Sequence, residues 1–459
     1  MENNSLHNSY DCIVIGGGSS GLMAAGMIKK IRRDDFGGDS TVGLDFEPLN
    51  VLLLERTARL GNKLRITGKG RCNLTNSADG AEFFDNICTN SSFFRSAFAM
   101  FDNADTMNFF ENLGVPLKVE RGNRVFPKSD SSHDIANALI NFNSDNKVEV
   151  KYNCDVQSLI FEETSDDLID LDGAIKHKQT KKVIGVKLAN GEQIFADKVV
   201  IATGGKSYPK TGSIGGGYLL AESVGHKIIP PMPALVPLVA EEKWVASLLG
   251  LSLKNVEVSF ISSNKNPGAS NKNHREKQNK LFGEMIFTHF GVSGPIILSA
   301  SSLIKEFPAK ISIDLKPALT DEMLYKRITK DFDEFKNRDL INALGKLLPL
   351  KLIPVIIQLS RIDARTKVNS ITKEQKNKLV NLIKNLTITI SKTRGIDEGI
   401  ITCGGVDVKE INPKTMESKL CKGLYFSGEV MDIDALTGGF NLQIAFSTGV
   451  AAARAIADV

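Results

Sequence analysis

A short apolar run that closes on three spaced glycines constrains this chain more than any other feature. Residues Asp11–Gly21 read D-C-I-V-I-G-G-G-S-S-G, with Gly16, Gly18 and Gly21 in G-x-G-x-x-G spacing, and a segment of helical character follows. This order predicts a buried strand, a tight turn and the start of a helix. Glycines in such a turn let the backbone approach a pyrophosphate, and the helix N-terminus offers free N–H groups to the anion.

A second apolar strand with a terminal carboxylate strengthens that prediction, because the glycine spacing alone is a weak signal in a chain with 39 glycines. Val51–Glu55 reads V-L-L-L-E, and a carboxylate in this place can accept hydrogen bonds from an adenosine ribose. The interval from Gly21 to Glu55 is 34 residues, longer than the roughly 20 expected. We interpret Arg32–Asn50, rich in Asp, Gly and Ser, as an inserted surface loop that accounts for the excess.

Composition limits the classes of protein and partner. A chain of 459 residues with 42% hydrophobic content can bury two or three domain cores. The net charge is only +4, and the most basic stretch, Asn264–Lys280, has no interleaved aromatics, which favours a solvated loop over a nucleic-acid surface. We therefore expect a small-molecule substrate and no nucleic-acid partner.

Cysteine usage and the N-terminus indicate a cytoplasmic protein. The six cysteines form no C-x-x-C pair, so neither a redox dithiol nor a zinc site is indicated, and we expect no metal. The first ten residues have neither the basic nor the apolar region of an export signal, and the apolar runs are too short to span a bilayer.

The pattern along the chain predicts an α/β fold. Helical spacing through Ser92–Leu113 and Ser132–Asn141 is followed by strands, by a hairpin turn at Asn190-Gly191, and by a buried strand, Lys198–Ala202, that runs into Thr203-Gly204-Gly205. This order is typical of a Rossmann-like, two-dinucleotide-binding-domain fold. The next strand of that fold begins only near Gly423, so a long insertion is required.

The insertion divides by pattern into two parts. Its first part is strand-like and predicts a small barrel or sandwich, and its second part has the Leu/Ile/Lys/Glu periodicity of helices. We predict a cofactor-binding domain in residues 1–205 and 393–459, interrupted by a β-rich domain, 206–318, and a helical segment, 319–392.

A basic, glycine-rich loop follows the Glu55 strand. Gly61–Asn76 reads G-N-K-L-R-I-T-G-K-G-R-C-N-L-T-N, a composition that suits an anionic ligand with a hydrogen-bonding ring. Cations offset pyrophosphate charge, and amides match the donor and acceptor edge of an isoalloxazine. Arg71 and Asn73 are the candidates for contact with that ring, whereas Cys72 fits a packing role better than a catalytic one.

A third segment completes the candidate flavin site. Gly423–Gln443 predicts a strand that delivers Gly428-Glu429, and then a turn, Thr437–Phe440, that opens a C-terminal helix. The positive end of that helix can stabilise an anionic reduced flavin, and Glu429 is expected near the ribityl or phosphate region.

Four motifs together resemble the YhiN/BaiN-type family of NAD(P)/FAD-dependent oxidoreductases, which includes the aminoacetone-oxidase-type flavoproteins. They are the Gly61–Asn76 loop, A-T-G-G-K-S-Y-P-K-T-G-S at Ala202–Ser213, G-E-M-I-F-T-H-F-G-V-S-G-P at Gly283–Pro295, and the Glu410–Val430 segment. The resemblance covers nearly the whole chain and implies non-covalently bound FAD in a fold interrupted by a β-barrel and helical insertion. The candidate cofactor-binding residues are Gly16, Gly18, Ser20, Gly21, Glu55, Arg56, Lys63, Gly70, Arg71, Asn73, Val156, Thr203, Gly204, Gly205, Gly428, Glu429, Gly438, Gly439, Phe440 and Asn441.

The expected activity is hydride transfer through FAD between NAD(P)H, or a small organic donor, and an acceptor. Gly212–Gly217 follows no strand, so we expect NAD(P)H to lie against the flavin, in a cleft between the FAD domain and the insertion, rather than in a second nucleotide domain. His289 is a candidate proton donor, with a structural histidine as the alternative. Two other functions stay open: an FAD protein that acts on RNA or another macromolecule, and a flavin-binding sensor without turnover. The sequence does not define the oligomeric state.

Overall fold

The computed structural model describes residues 9–36, 49–169, 175–262, 277–304 and 306–457. The strands are β1 (Ser9–Ile15), β2 (Val51–Leu54), β3 (Thr75–Asn76), β4 (Leu117–Glu120), β5 (Arg124–Pro127), β6 (Glu149–Lys151), β7 (Val156–Ile169), β8 (Ile175–Leu188), β9 (Gln193–Ile201), β10 (Ile228–Ala234), β11 (Leu238–Ala240), β12 (Ser252–Ser262), β13 (Lys277–Phe287), β14 (Gly291–Ser293), β15 (Ala309–Asp314), β16 (Leu386–Thr393), β17 (Ile401–Val406), β18 (Cys421–Lys422) and β19 (Leu424–Phe426). The helices are α1 (Ser19–Phe36), α2 (Asn62–Ile66), α3 (Gly80–Asp85), α4 (Ser91–Met100), α5 (Asn103–Asn112), α6 (Ser132–Asp145), α7 (Gly216–Ser223), α8 (Trp244–Ser247), α9 (Pro295–Leu303), α10 (Asp321–Glu334), α11 (Leu340–Ala343), α12 (Ile353–Ser360), α13 (Lys373–Lys384) and α14 (Phe440–Ile456).

The chain divides into two compact units. Unit 1 comprises Met1–Pro233 with Ile400–Val459, and unit 2 comprises Ala234–Gly399. Residues 206–233, which the sequence assigned to the insertion, belong to unit 1 in this division. Most of the predicted surface loop Arg32–Asn50 and of the basic stretch Asn264–Lys280 lies outside the described residues.

Unit 1 is built on an eight-stranded sheet. The strand order is β18-β8-β9-β1-β2-β6, with β19 beside β9 and β7 beside β8. Ile15 is in register with Leu54 on one side and with Ile201 on the other, and Ile201 is in register with Phe426. The parallel strands β1, β2, β9 and β19 therefore end at one edge of the sheet, which we call the carboxyl edge. In open α/β sheets this is the edge at which ligands bind.

The sequence explains why these strands form a buried parallel sheet. Strand β2 is buried at all four residues, as expected for an apolar run that is covered on both faces. Helix α14 packs closely on α1, because a Cβ on Gly449 would lie 2.8 Å from the Ser20 carbonyl oxygen. The absence of a side chain at Gly449 thus allows the C-terminal helix to pack closely on the first helix of the sheet domain.

Strand β9 differs from its prediction in one respect. The sequence treated the hairpin strand after Asn190-Gly191 and the buried strand Lys198–Ala202 as separate, but both belong to the single strand Gln193–Ile201. Its residues 193–195 pair antiparallel with β8, and its residues 195–201 pair parallel with β1. One strand thus connects the antiparallel strands β7 and β8 to the carboxyl edge.

Unit 2 contains a closed six-stranded barrel in the order β11-β14-β13-β12-β15-β16. The sequence placed Leu386–Lys392 in the helical segment, but Leu386–Thr393 forms β16, which closes the barrel against β11 and β15. Helices α10–α13 therefore interrupt the barrel instead of following it. The predicted fold class, a Rossmann-like α/β fold interrupted by a β-barrel and helices, is confirmed.

Three findings concern the described part of the chain only. None of its helices is both long and apolar enough to cross a bilayer. Its six cysteines form no disulfide bond with one another, and its His, Cys, Asp and Glu side chains form no cluster suited to a metal ion.

Candidate functional site

The turn between β1 and α1 is as tight as the glycine spacing predicts. Gly16 has φ 104°, in the left-handed region that favours glycine, and a Cβ on Gly21 would lie 1.9 Å from the Gly16 carbonyl oxygen. A Cβ on Gly18, by contrast, would meet no atom within 4 Å. The first and third glycines are therefore required by packing, whereas Gly18 borders open space at the N-terminus of α1. That helix carries no acidic residue in its first turn, so its positive end is available to an anion.

Glu55 lies beside this turn at the end of β2. Its side chain is buried, with one oxygen accepting the Gly17 N–H at 2.8 Å and the other accepting the Thr57 N–H and hydroxyl, each at 2.7 Å. An ionised carboxylate offers about four acceptor positions. Glu55 can therefore hold the turn and still accept a ligand hydroxyl.

Two further predicted residues lie next to Glu55. Cys154 donates its N–H to the Glu55 carbonyl oxygen at 2.9 Å, which attaches the start of β7, and with it Val156, to the end of β2. Arg56 forms a solvent-exposed ion pair with Asp155 at 3.4 Å. Arg56 and Val156 therefore border the Glu55 end of the carboxyl edge.

Lys63 and Glu429 join the basic loop to the C-terminal segment. The Lys63 Nζ donates to both Glu429 carboxylate oxygens, at 2.7 and 3.0 Å, and to Ser207 Oγ at 2.6 Å. Glu429 Oε1 also accepts the Thr402 N–H at 2.7 Å. Both charged side chains are only 22% exposed, so water screens this ion pair weakly.

Other hydrogen bonds connect the three predicted segments pairwise. The Gly61 N–H donates to the Gly17 carbonyl at 2.9 Å, and Ser20 Oγ donates to the Ser427 carbonyl at 3.2 Å. The Asn76 side chain donates to the Gly438 carbonyl at 3.0 Å. Segments that contain residues as many as 407 positions apart thus meet at the carboxyl edge.

Arg71 is directed elsewhere. Its guanidinium forms ion pairs with Glu120 and Asp130 and lies 4.3 Å from the centroid of the Phe126 ring. The carboxylates raise the pKa of this guanidinium, with Glu120 making the largest contribution. Contact between Arg71 and a flavin would require the side chain to leave both carboxylates, which makes Asn73 the better placed of the two predicted ring contacts.

The loop around Gly70 has an unusual backbone. Gly68, Lys69, Gly70 and Cys72 all have positive φ, and a Cβ on Gly70 would meet no atom within 4 Å. Cys72 is fully buried, and burial raises the pKa of its thiol to about 12, against a smaller opposing effect of a hydrogen bond with Thr67. The thiol therefore stays protonated at neutral pH, in agreement with a packing role.

The glycine turn before α14 brings backbone groups to the carboxyl edge, whereas the ring of Phe440 packs elsewhere. Gly439 has φ 101°, and a Cβ there would lie 2.2 Å from the Thr75 carbonyl oxygen. Phe440 packs edge-on against Phe83, with ring centroids 4.9 Å apart, and is buried in an aromatic cluster. The Asn441 side chain is bonded to the Ala435 backbone N–H and carbonyl. Phe440 and Asn441 thus shape the turn, and α14 has no acidic residue in its first turn.

Buried polar atoms at this edge test whether a hydrogen-bonding cofactor fits. Asn73 Oδ1, Thr203 Oγ1 and Ser427 Oγ are buried and have no hydrogen-bond partner among the described residues. Thr203 lies two residues after the end of β9, and Ser427 directly follows β19. Buried polar groups in folded proteins are usually paired, so these atoms together with the open space at Gly18 fit a ligand rich in hydroxyl, phosphate and carbonyl groups. FAD has this composition.

The segment after β9 also crosses this edge. Gly204 has φ 71°, and a Cβ on Gly205 would lie 2.4 Å from Thr402 Oγ1 and 3.1 Å from Glu429 Oε1. A Cβ on Gly428 would likewise lie 2.6 Å from Ser20 Oγ. These three predicted glycines therefore permit close packing around Glu429.

His289 is the predicted site residue that lies outside unit 1. It is an exposed side chain between β13 and β14 of the barrel, where it contacts the Phe290 ring edge-on at 5.0 Å. The alternative of a buried structural histidine therefore does not apply.

Sequence reasoning missed Ser207, Thr402 and Tyr218. Thr402 Oγ1 accepts the Ser207 N–H at 3.1 Å across 195 residues, a separation at which sequence pattern carries no signal. Tyr218 could have been noticed as the aromatic residue in the first turn of the helix after the A-T-G-G segment.

The parallel strand edge, the glycine turn, the terminal carboxylate of β2 and the donor-rich loops define an FAD-dependent oxidoreductase with a Rossmann-type fold. The chain belongs to the family described as HI0933-like protein Rossmann domain, which matches residues 10–455.

The chain is similar along almost its full length to characterised relatives. It is 30% identical over 450 residues to the 3-dehydro-bile acid delta(4,6)-reductase of Clostridium scindens, covering 97% of this chain and 98% of the relative. It is 29% identical over 448 residues to the ribosomal RNA dihydrouridine synthase of Escherichia coli, covering 97% of each chain. Among solved structures, it aligns with the 3-ketosteroid-delta4-(5alpha)-dehydrogenase of Rhodococcus jostii with a TM-score of 0.46 and 14% identity, over 99% of this chain and 98% of that one.

Proposed function

We propose that this protein is an FAD-dependent reductase that passes a hydride from NAD(P)H, through the flavin, to a carbon–carbon double bond of a small organic acceptor. The observation that carries the proposal is the meeting of the three predicted segments at one strand edge, joined there by Lys63 and Glu429. The names of the two relatives both denote reduction of a carbon–carbon double bond, which supports this class of acceptor.

The residues at the carboxyl edge have distinct proposed roles. The glycine turn and the N-terminus of α1 bind the pyrophosphate through backbone N–H groups. Glu55 accepts hydrogen bonds from the adenosine ribose, while Glu429, held by Lys63, accepts them from the ribityl chain. The N-terminus of α14 stabilises negative charge on the reduced ring. Bound FAD would supply the hydride transfer itself.

A nicotinamide donor is proposed to bind against the flavin ring rather than in a domain of its own. Gly212–Gly217 is preceded by a short 3₁₀ turn, Pro209–Thr211, and not by a strand, so it lacks the strand–turn–helix context of a dinucleotide site. His289 is kept as a proposed proton donor. Unchanged turnover after replacement of His289 by Ala would remove it from the mechanism.

Anaerobic reduction and reoxidation of the purified flavoprotein test this function. We expect NADH or NADPH to bleach the visible absorption of the oxidised flavin, and an unsaturated ketone or acid to restore it with formation of the saturated product. A flavin that neither nicotinamide reduces would reject the proposed donor. A flavin that is reduced but is reoxidised only by oxygen would reject the proposed acceptor, and a flavin with no turnover would favour a sensor.

A second candidate function is reduction of a base in RNA, and the distribution of charge favours it. Unit 2 has 26 Lys and Arg against 17 Asp and Glu, a formal charge of +9, whereas unit 1 has 31 against 36, a formal charge of −5. The modest net charge of the chain conceals this difference. A domain with such a positive excess is suited to a polyanion, and two relatives at 28% and 29% identity are named ribosomal RNA dihydrouridine synthases.

Salt dependence distinguishes the two acceptors. Reoxidation by RNA should slow steeply as salt rises, because contacts with phosphates release counterions, whereas reoxidation by a neutral enone should change little. Absence of any RNA-dependent reoxidation at low salt would leave the small-molecule function alone.

A further inference from the structure

Tyr218 is placed at the carboxyl edge by the way α7 packs on β9. The helix begins at Gly216, after the loop that follows Thr203. A Cβ on Gly217 would lie 2.1 Å from Thr203 Oγ1 and 3.0 Å from Ile201 Cγ2, so the first turn of α7 contacts the end of β9 directly. Tyr218, the next residue, is therefore fixed beside the strand ends that form the candidate FAD site.

The Tyr218 hydroxyl is buried without a hydrogen-bond partner. The residue is only 4% exposed, and its Oη atom contacts no donor or acceptor among the described residues. A buried tyrosine hydroxyl usually has a partner, because leaving it unpaired costs free energy comparable to a lost hydrogen bond. Tyr218 thus belongs with Thr203 and Ser427, whose buried hydroxyls at this edge also lack protein partners.

The charges around Tyr218 indicate what the partner can be. Burial is the largest effect that raises the pKa of the phenol, and the negative charges of Glu429 and Asp432 raise it further. The hydroxyl therefore remains a neutral donor. Both Glu429 oxygens are engaged by Lys63, and Asp432 Oδ2 accepts from Asn90 at 3.0 Å. An anionic group next to Tyr218 would be repelled by the two carboxylates, whereas a neutral carbonyl oxygen would not.

We propose that Tyr218 Oη donates a hydrogen bond to a carbonyl oxygen of the molecule bound at the carboxyl edge. The carbonyl belongs either to the flavin ring or to an acceptor in which it is conjugated with the reducible double bond. In the second case the inference rests on the proposed function. A hydrogen bond to such a carbonyl withdraws electron density from the double bond and stabilises the charge that develops as hydride adds.

The test compares Tyr218→Phe with Tyr10→Phe, each as the apoprotein and loaded with FAD. Tyr10 is a matched control because its hydroxyl has a protein partner, Glu149 Oε1 at 3.0 Å. We expect Tyr10→Phe to lower the melting temperature of both forms equally. Tyr218→Phe should leave the apoprotein as stable as the wild type or more stable, because an unpaired hydroxyl is removed.

Binding and kinetics then distinguish the two carbonyls. If the flavin provides the oxygen, Tyr218→Phe should weaken FAD binding roughly 10-fold and shift the visible spectrum of the bound flavin. If the acceptor provides it, FAD affinity and spectrum should match the wild type, while kcat/KM for the acceptor falls roughly 10-fold or more.

Two results would overturn the assignment. One is an unchanged FAD affinity, spectrum and kcat/KM in Tyr218→Phe. The other is an apoprotein destabilised as much as the FAD-loaded form, because that would show that the hydroxyl is paired within the protein. A wild-type protein that binds FAD but reduces no acceptor would reject the proposed function separately. Tyr218 would then be tested by FAD affinity and by the melting temperatures of the apoprotein and of the FAD-loaded form. No change in these quantities in Tyr218→Phe would reject the assignment.

Discussion

The two units differ in how completely they satisfy their own polar groups. Among the described residues, unit 1 leaves buried side-chain atoms without partners at Asn73, Thr203, Tyr218 and Ser427, and also at Arg65, Thr106 and Asn143, whereas in unit 2 the corresponding atom is Thr329 Oγ1. In the described part of unit 2, the other buried side-chain nitrogen and oxygen atoms have hydrogen-bond partners. Lys384, for example, contacts the Asp314 carboxylate and donates to the Leu319 and Lys316 carbonyls.

This difference indicates that unit 1 is organised around a ligand. Unit 1 has an edge of donors, acceptors and glycines whose arrangement is complete only with a ligand, so a ligand that binds the folded unit should stabilise it by mass action. Unit 2 has its own apolar core and a closed barrel, and its stability should be largely independent of FAD. Four predictions test this contrast.

Gly21→Ala should have the largest effect. Its Cβ would lie 1.9 Å from the Gly16 carbonyl oxygen, so the β1–α1 turn must deform at a cost of about 3 kcal/mol or more. We expect loss of FAD and faster hydrogen exchange throughout unit 1, with exchange in unit 2 unchanged. Mass spectrometry of the exchanged peptides measures both, and equal loss of protection in unit 2 would show that the units unfold as one.

Lys63→Met should have the next largest effect, with Arg71→Met as its control. Removing Lys63 leaves the Glu429 carboxylate in a mostly buried position without its cation, which should cost about 2 kcal/mol and weaken FAD binding. Arg71→Met removes a more exposed cation bound to Glu120 and Asp130, and FAD affinity should stay near that of the wild type. Urea unfolding and FAD titration check both, and a larger loss of FAD affinity for Arg71→Met would place the guanidinium at the flavin.

Gly18→Ala separates ligand binding from folding. Because the added Cβ meets no atom within 4 Å, the apoprotein should keep its stability to within about 0.5 kcal/mol. The methyl group would enter the space where the pyrophosphate is proposed to lie, so FAD affinity should fall about 10-fold or more. Calorimetric titration and apoprotein melting measure the two quantities, and normal FAD affinity would place the pyrophosphate elsewhere.

His226 should give unit 1 a small pH dependence. Its Nε2 accepts from Ser418 Oγ at 2.7 Å, since that oxygen already accepts the Leu420 and Cys421 N–H groups, and its Nδ1 faces Glu410 at 3.1 Å. Burial lowers the pKa of this imidazole, outweighing the opposite effect of Glu410.

The unfolded chain then binds a proton near pH 6.5 that the folded chain does not, so stability should fall as the pH drops below about 6.5. His226→Gln should flatten that dependence between pH 7.5 and 5.5 in urea unfolding followed through unit 1. An identical slope in variant and wild type would mean that another group is responsible.

The sequence predicted what depends on neighbours along the chain. The β1–α1 turn, the strand before Glu55 and helix α14 follow from local apolar runs and glycines. The interruption of the sheet was also predictable, because the next strand of the fold is missing for a long stretch.

What depends on tertiary contacts was not predictable. The Lys63–Glu429 pair joins residues 366 apart, and nothing local distinguishes Lys63 from Arg71, which turns to a different pair of carboxylates. Phe440 was expected at the ligand, but the aromatic cluster around Phe83 determines where its ring packs. Strand β16 was placed in the helical segment, except for its last residue, because the periodic segment α13 ends only two residues before it.

The division of unit 1 by unit 2 has a consequence for biosynthesis. Residues 400–459, which carry Glu429 and α14, are translated only after the whole barrel and its helices have been made. A chain that has been translated only through unit 2 therefore lacks β19, Glu429 and α14, and its candidate cofactor site is still incomplete. We expect unit 2 to fold on the ribosome first, while the flavin is acquired as one of the final steps in maturation.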